Sequence, residues 1–140
     1  MNSDVASNET SNGVVQQVLV IDDEAAIAES CSRALSRHGH RVRACADPEV
    51  GLQEALSGNY DVVFLDLMMP KVTGLEILKR MRSAGISTEV VIMTAYSTVE
   101  SAVEVMKAGA ADYLSKPFSP PELLMVLEKV ANQIGRASCR

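Results

Sequence analysis

Five short apolar stretches, each ending in a polar loop and each followed by a longer segment with helical spacing, constrain this chain more than any other feature. They occupy residues 18–21, 42–45, 62–65, 90–93 and 113–114. Their apolarity is continuous rather than alternating, the pattern of strands covered on both faces, as in a parallel sheet between helices. The intervening segments carry helix punctuation. Asp47 before Pro48 reads as an N-cap with proline at the first helical position, and Thr73 with Glu76, Ser97 with Glu100, and Ser119 with Glu122 fit the capping-box spacing. Gly39, Gly58, Gly85, Gly109 and Gly135 fall where those helices should stop. Apolar residues recur at helical intervals in Ile27, Cys31 and Leu35, in Leu75, Leu78 and Met81, in Val99, Val103 and Met106, and in Leu123, Leu127, Val130 and Ile134. Strand then helix, five times over with right-handed crossovers, predicts a doubly wound α/β sandwich around a five-stranded parallel sheet.

One such unit uses most of the 140 residues. Residues 1–15, rich in Ser and Asn, read as a disordered leader, residues 16–134 as the folded domain and residues 135–140 as a tail. Thirteen basic against eighteen acidic residues give a net charge of −5, and the basic residues are scattered. A nucleic-acid binder would show a basic stripe, so direct DNA contact is not expected. There is no membrane-length apolar run and no signal-peptide pattern, and Cys31, Cys45 and Cys139 share no metal-ligand spacing. They read as reduced cytosolic thiols, two in a core and one in the tail. A cytoplasmic location is the expectation.

Ligands of doubly wound sheets sit beyond the carboxyl ends of the strands. There the sequence places Asp22 and Asp23 after the first strand, Asp66 after the third, Thr94 after the fourth and Lys116 after the fifth. Each alone has an ordinary reading. Asp22 or Asp23 could cap a helix, Asp66 could start a turn, Thr94 could be a loop hydroxyl and Lys116 a solvated cation. Those readings do not explain why all five share one end of the sheet. Three carboxylates against one ammonium must raise their pKa values or bind a divalent cation, and carboxylates with water and a backbone carbonyl suit Mg²⁺. His38 and His40, flanking Gly39, read as turn histidines without a ligand cluster, and Met68 and Met69 before Pro70 as plain loop.

Four motifs in order carry a family resemblance: Ile21-Asp22-Asp23-Glu24; Phe64-Leu65-Asp66-Leu67-Met68-Met69-Pro70 with Gly74; Met93-Thr94-Ala95; and Tyr113-Leu114-Ser115-Lys116-Pro117-Phe118. Together they resemble the receiver domain of two-component response regulators, of the chemotaxis-receiver type. The resemblance runs over about residues 18–134 and implies a flavodoxin-like (βα)5 fold with strand order 2-1-3-4-5. It makes Asp66 the phosphoryl acceptor, attacking a phosphohistidine of a partner sensor histidine kinase. Asp23 and Asp66 would ligate Mg²⁺ directly, Asp22 through water, and Met68 through its backbone carbonyl. Lys116 would pair with one phosphoryl oxygen and Thr94 would donate its hydroxyl to another. Thr94 and Tyr113 would be the switch residues, and Lys116–Pro117 a cis peptide.

Physical chemistry fits those roles. In-line phosphoryl transfer needs charge neutralisation and a positioned nucleophile more than covalent help. The new group of about −1.5 to −2 charge gives Lys116 and Thr94 a reason to move, and Tyr113 can follow. The resemblance also implies that Met68 and Tyr96 line the path of hydrolytic water. Neither can orient it, so a phosphoryl lifetime of minutes or longer is expected. A flavin binder would need a glycine-rich phosphate loop where Asp22-Asp23-Glu24 stands, and a haloacid dehalogenase-type phosphatase would need an Asp-x-Asp pair after the first strand.

The stretch from Thr94 to Ala110 resembles receivers of the nitrogen-regulation (sigma-54-dependent) class, in which output domains follow. The chain is therefore read as a receiver from a longer regulator whose output domain, controlling transcription, is absent here. Lys107, Lys129 and Arg136 with Glu100, Glu104, Glu122 and Glu128 make a mixed-charge face on the last two helices, expected to support phosphorylation-dependent homodimerisation.

Overall fold

Alternation along a strand sends successive side chains to opposite faces. Over residues 14–138, which the computed structural model describes, this alternation builds two cores, one on each face of a single sheet. Strands β1 (Gln17–Ile21), β2 (Arg41–Cys45), β3 (Val62–Asp66), β4 (Glu89–Thr94) and β5 (Asp112–Ser115) alternate with helices α1 (Ala25–Arg37), α2 (Pro48–Leu56), α3 (Gly74–Ser83), α4 (Val99–Lys107) and α5 (Pro120–Ser138). All neighbouring strands are parallel, in the order β2-β1-β3-β4-β5, so the expected fold class and strand order are both found. Val18, Val20, Val62, Phe64, Val91 and Met93 face α1 and α5, where Cys31, Leu35, Leu123, Leu127 and Val130 meet them. Leu19, Ile21, Val63, Leu65, Val90 and Ile92 face α2, α3 and α4.

The central strands are buried on both faces, as continuous apolarity predicts. The edge strand β2 departs from that pattern: Cys45 is buried, while Arg41, Arg43 and Ala44 are exposed. An edge strand has one neighbour and less helix above it. Each apolar face is otherwise close to expectation, with Ala28 replacing Ile27 as the most buried residue of the first turn of α1.

The larger departure is α4. Val105 is its buried residue, whereas Val99 is 80% exposed and Val103 and Met106 are also exposed. Two apolar rows share this helix, and the one carrying Val105 faces the sheet. The caps differ here too. Asp47 accepts from the amides of Glu49 and Val50, Thr73 accepts from Glu76, and Ser119 and Glu122 form the expected reciprocal box. The α4 box instead pairs Thr98 with Ser101, one residue past the expected Ser97 and Glu100. A serine can close a capping box when its hydroxyl reaches back, a pairing that the Glu/Gln rule overlooks.

Gly39, Gly58, Gly85 and Gly109 have positive φ, as helix-ending glycines should. Gly135 does not end its helix, because α5 runs on to Ser138. The first thirteen residues of the expected leader, and Cys139 with Arg140 of the expected tail, lie outside the described residues. Cys31 and Cys45 are buried and free. Among the described residues no helix is long and apolar enough to cross a membrane.

Candidate functional site

The sheet's own hydrogen bonding continues past the strand ends and fixes the site backbone. The Asp22 amide donates to Cys45 O at 3.1 Å, the Leu67 amide to Met93 O at 2.8 Å and the Lys116 amide to Thr94 O at 2.8 Å. The chain just beyond β1, β3 and β5 is thereby tied to the neighbouring strand. Asp22, Asp66 and Thr94 are buried, Asp23 is exposed and Lys116 lies between.

Lys116 is the centre of the arrangement. Its Nζ stands 2.8 Å from Asp22 Oδ2, 3.4 Å from Asp66 Oδ1 and 3.7 Å from Glu24 Oε1. Asp22 Oδ1 accepts from the Glu24 amide at 2.9 Å, and Asp66 Oδ1 from the Met68 amide at 3.4 Å. Asp22 Oδ2 is fully buried and receives no aligned hydrogen bond, although Nζ is at contact distance. An ion pair of that kind is held by charge rather than by direction, which leaves the oxygen with unused acceptor capacity.

The electrostatics follow. Burial, then the Asp22 carboxylate, push the Asp66 pKa up to about 7 against the pull of Lys116 and of the Met68 amide. Burial alone would lower the Lys116 ammonium, but Asp22 and then Asp66 outweigh it and hold it above the ordinary lysine range. Burial, reinforced by Asp22, lifts the Cys31 thiol to about 11, so this cysteine beneath the site is protonated and unreactive.

Carboxylate oxygens of Asp22, Asp23 and Asp66 all lie within 4.8 Å of one another. Three such oxygens, one of them buried and under-bonded, suit a small hard divalent cation. Met68 follows with its side chain 56% exposed. Thr94 stands at the end of β4, in register with Ser115, and its Oγ1 accepts from the Tyr96 amide at 2.9 Å. Tyr113 is half-buried and packs with the core beneath α4. Tyr96 is 66% exposed, and the Lys116–Pro117 peptide is cis.

The structure thus brings Asp22, Asp23, Asp66 and Lys116 together and places Thr94 and Tyr113 on adjoining strands. Glu24 was quoted in the first motif but given no site role by sequence reasoning. Its adjacency to the acidic pair was the available signal, but which way it would turn depends on how α1 leaves β1. His40, read as a turn residue, is buried instead, and its Nδ1 accepts from the Gln16 amide at 3.1 Å.

Comparison with known proteins identifies the family and the fold. Residues 18–128 match the response regulator receiver domain family. The chain is 43% identical over 108 residues to the transcriptional regulatory protein DltR of Streptococcus agalactiae, covering 77% of this chain and 48% of that protein. The receiver domain of Francisella response regulator 1452 superposes with a TM-score of 0.80 at 34% identity, covering 85% of this chain and 98% of that one. NtrX from Brucella abortus gives 0.79 at 27% identity, over 90% of this chain and 30% of that one. The chain spans about half the length of the curated relatives it matches.

Proposed function

Because the chain belongs to the response regulator receiver domain family, we propose that it is a phospho-accepting switch, taking a phosphoryl group from a sensor histidine kinase onto Asp66. The observation that carries this reading is Lys116 Nζ bridging Asp22 and Asp66 at 2.8 and 3.4 Å, at the carboxyl ends of three strands. An Asp66 carboxylate oxygen attacks phosphorus, a P–O bond forms and the P–N bond to the kinase imidazole breaks, its electron pair returning to the ring. Lys116 holds Asp66 in place before transfer and pairs with a phosphoryl oxygen after it. The Thr94 hydroxyl leaves the Tyr96 amide and donates to another phosphoryl oxygen, and Tyr113 repacks under α4.

Asp23, Asp66 and the Met68 carbonyl would hold Mg²⁺, with Asp22 acting through water. When bound, the ion neutralises charge that builds on the transferred group. The remainder of the reading concerns output. The relative named as a transcriptional regulatory protein is about twice as long as the matched region. Residues 16–134 are therefore taken as the receiver of a cytoplasmic regulator whose output domain controls transcription, and NtrX among the structural neighbours favours the nitrogen-regulation class. Charge contributes less than expected to a homodimer face, because Lys129 pairs internally with Asp112 and Glu122 with the Ser119 amide. The exposed row of Val99, Val103 and Met106 on α4 supports self-association instead.

The test is incubation with Mg²⁺ and acetyl phosphate, then borohydride reduction and mapping by mass spectrometry. Label on Asp66, absent in Asp66→Ala and after chelation, is the expected result. The phosphoryl group should then persist for minutes or longer, since neither Met68 nor Tyr96 offers a carboxylate or amide to orient water, and Tyr96 is bulky enough to exclude it. Decay within seconds would contradict that lifetime.

A further inference from the structure

Gly74 is the first residue of α3, directly after the Thr73 cap, where helix geometry makes no demand for glycine. Its backbone does not require glycine, because it is absent from the glycines with positive φ. Space requires it. A Cβ there would overlap the Asp66 carbonyl oxygen and stand 2.9 Å from Leu67 Cα and 3.0 Å from the Asp66 carbonyl carbon. Every one of these obstacles is backbone. At Gly51 the obstacle is the buried Ile21 side chain and at Gly109 the flexible Arg82 side chain, so neither of them meets the backbone of the acceptor strand.

The backbone under Gly74 has nowhere to retreat. The Gly74 amide donates to Leu67 O at 3.0 Å, while the Leu67 amide is tied to Met93 O on β4 at 2.8 Å. The segment between is clasped at both ends and folded on itself, with Met69 buried, Lys71 at φ 72° and the Val72 amide donating to Pro70 O. Asp66 and Met68, which carry the proposed chemistry, leave this clasp directly.

We propose that Gly74 is a positioning residue for the phosphoacceptor: its bare α-carbon lets the first turn of α3 seat on the Asp66–Leu67 backbone, fixing where the Asp66 carboxylate and Met68 carbonyl are presented. The inference rests on the receiver reading above. A side chain at this position pushes the acceptor backbone toward β4 or lifts α3 away, and either movement misplaces both groups together.

The experiment compares the full-length wild type, Gly74→Ala and Gly85→Ala. Gly85 lies at the opposite end of the sheet, with φ +79° and open space around it, so alanine there strains the fold without approaching Asp66. Mg²⁺ affinity is measured by calorimetry, phosphorylation by acetyl phosphate at saturating Mg²⁺, and both well below each variant's melting temperature. Gly74→Ala is expected to weaken Mg²⁺ binding and to slow phosphorylation, each by about tenfold or more. Gly85→Ala should melt earlier yet keep both within about twofold of wild type. Gly74→Ala within that same margin overturns the proposal.

If Gly74→Ala does not fold, the wild type decides by NMR. The Gly74 amide, bonded to Leu67 O, must shift as Mg²⁺ is added and saturate together with Asp23 and Asp66. A stationary Gly74 resonance while those two move overturns it. A wild type that neither binds Mg²⁺ nor takes label on Asp66 refutes the phosphoacceptor reading itself, a different outcome from either result on Gly74.

Discussion

Asp66 keeps its proton to about pH 7 because burial and the Asp22 carboxylate both oppose its charge, and Lys116 offsets them only in part. Its folded value lies above the ordinary carboxylate value, so the folded state binds this proton more tightly than the unfolded chain. Stability from the neutral carboxyl is full in acid and is lost as pH rises through about 7. Without metal, Asp66→Asn should therefore be more stable than wild type at pH 8, by on the order of 1 kcal/mol, with the gap closing toward pH 5. Urea unfolding in chelator at both pH values checks this, and equal stabilities at pH 8 would contradict it. His40 has the opposite sign. Burial, then His38, lower its pKa against the pull of Glu128. Its neutral form stabilises the fold above about pH 6.5, and that contribution is lost as pH falls below it. His40→Gln should flatten the fall in melting temperature between pH 7 and pH 5, read by circular dichroism. The strand-end residues Asp22, Asp23, Asp66, Thr94 and Lys116 were legible because a strand end is fixed by the pattern that precedes it. Glu24 and Gly74 stood in the quoted motifs without a role of their own, and His40 was read as a turn residue, because what each side chain or α-carbon touches is set by how the loops and helices fold back on the strands.

α4 is tied down differently from the other helices. Val105 is its buried residue; Arg82 donates to Gly109 O at 2.9 Å and to Ile86 O at 2.7 Å, and Ser97 and Ser115 hydroxyls meet at 2.6 Å. With little apolar area holding it, a larger share of its stability lies in its ends. Removing the Thr98 cap should cost about 1 kcal/mol, most of it local to α4. Amide hydrogen exchange of Thr98→Ala is expected to quicken through Val99–Lys107 and leave α3 unchanged, whereas uniform quickening would point to a global loss. Periodicity located this helix but chose the wrong row for the sheet. Val99, Val103 and Met106 are as apolar as a core row, and only packing against β4 and β5 decides that Val105 turns inward. Strands β1, β3 and β4 carried no such ambiguity, since both faces of each had to be apolar.

At the scale of the whole molecule, the parallel order β2-β1-β3-β4-β5 gathers the chemistry at one end and leaves two unlike borders. The doubly wound class followed from the repeated strand-helix pattern, while the order of strands needed the family resemblance, because apolar runs do not say which neighbour they choose. Self-association through the exposed α4 row is expected to appear as a rise in molar mass by light scattering when beryllofluoride and Mg²⁺ are added. Val99→Glu with Val103→Glu should abolish that rise, and a monomer in every condition would favour readout by another partner. The border formed by β2 bears on how copies of this chain meet. Its Arg41 and Arg43 project into solvent, the second only loosely matched by Glu54 at 3.6 Å. Two such borders brought side by side would confront like charges along their unpaired amides and carbonyls, which is how open sheets resist growing into fibrils. Concentrated protein is thus guarded against cross-strand aggregation at the place where its sheet is least covered.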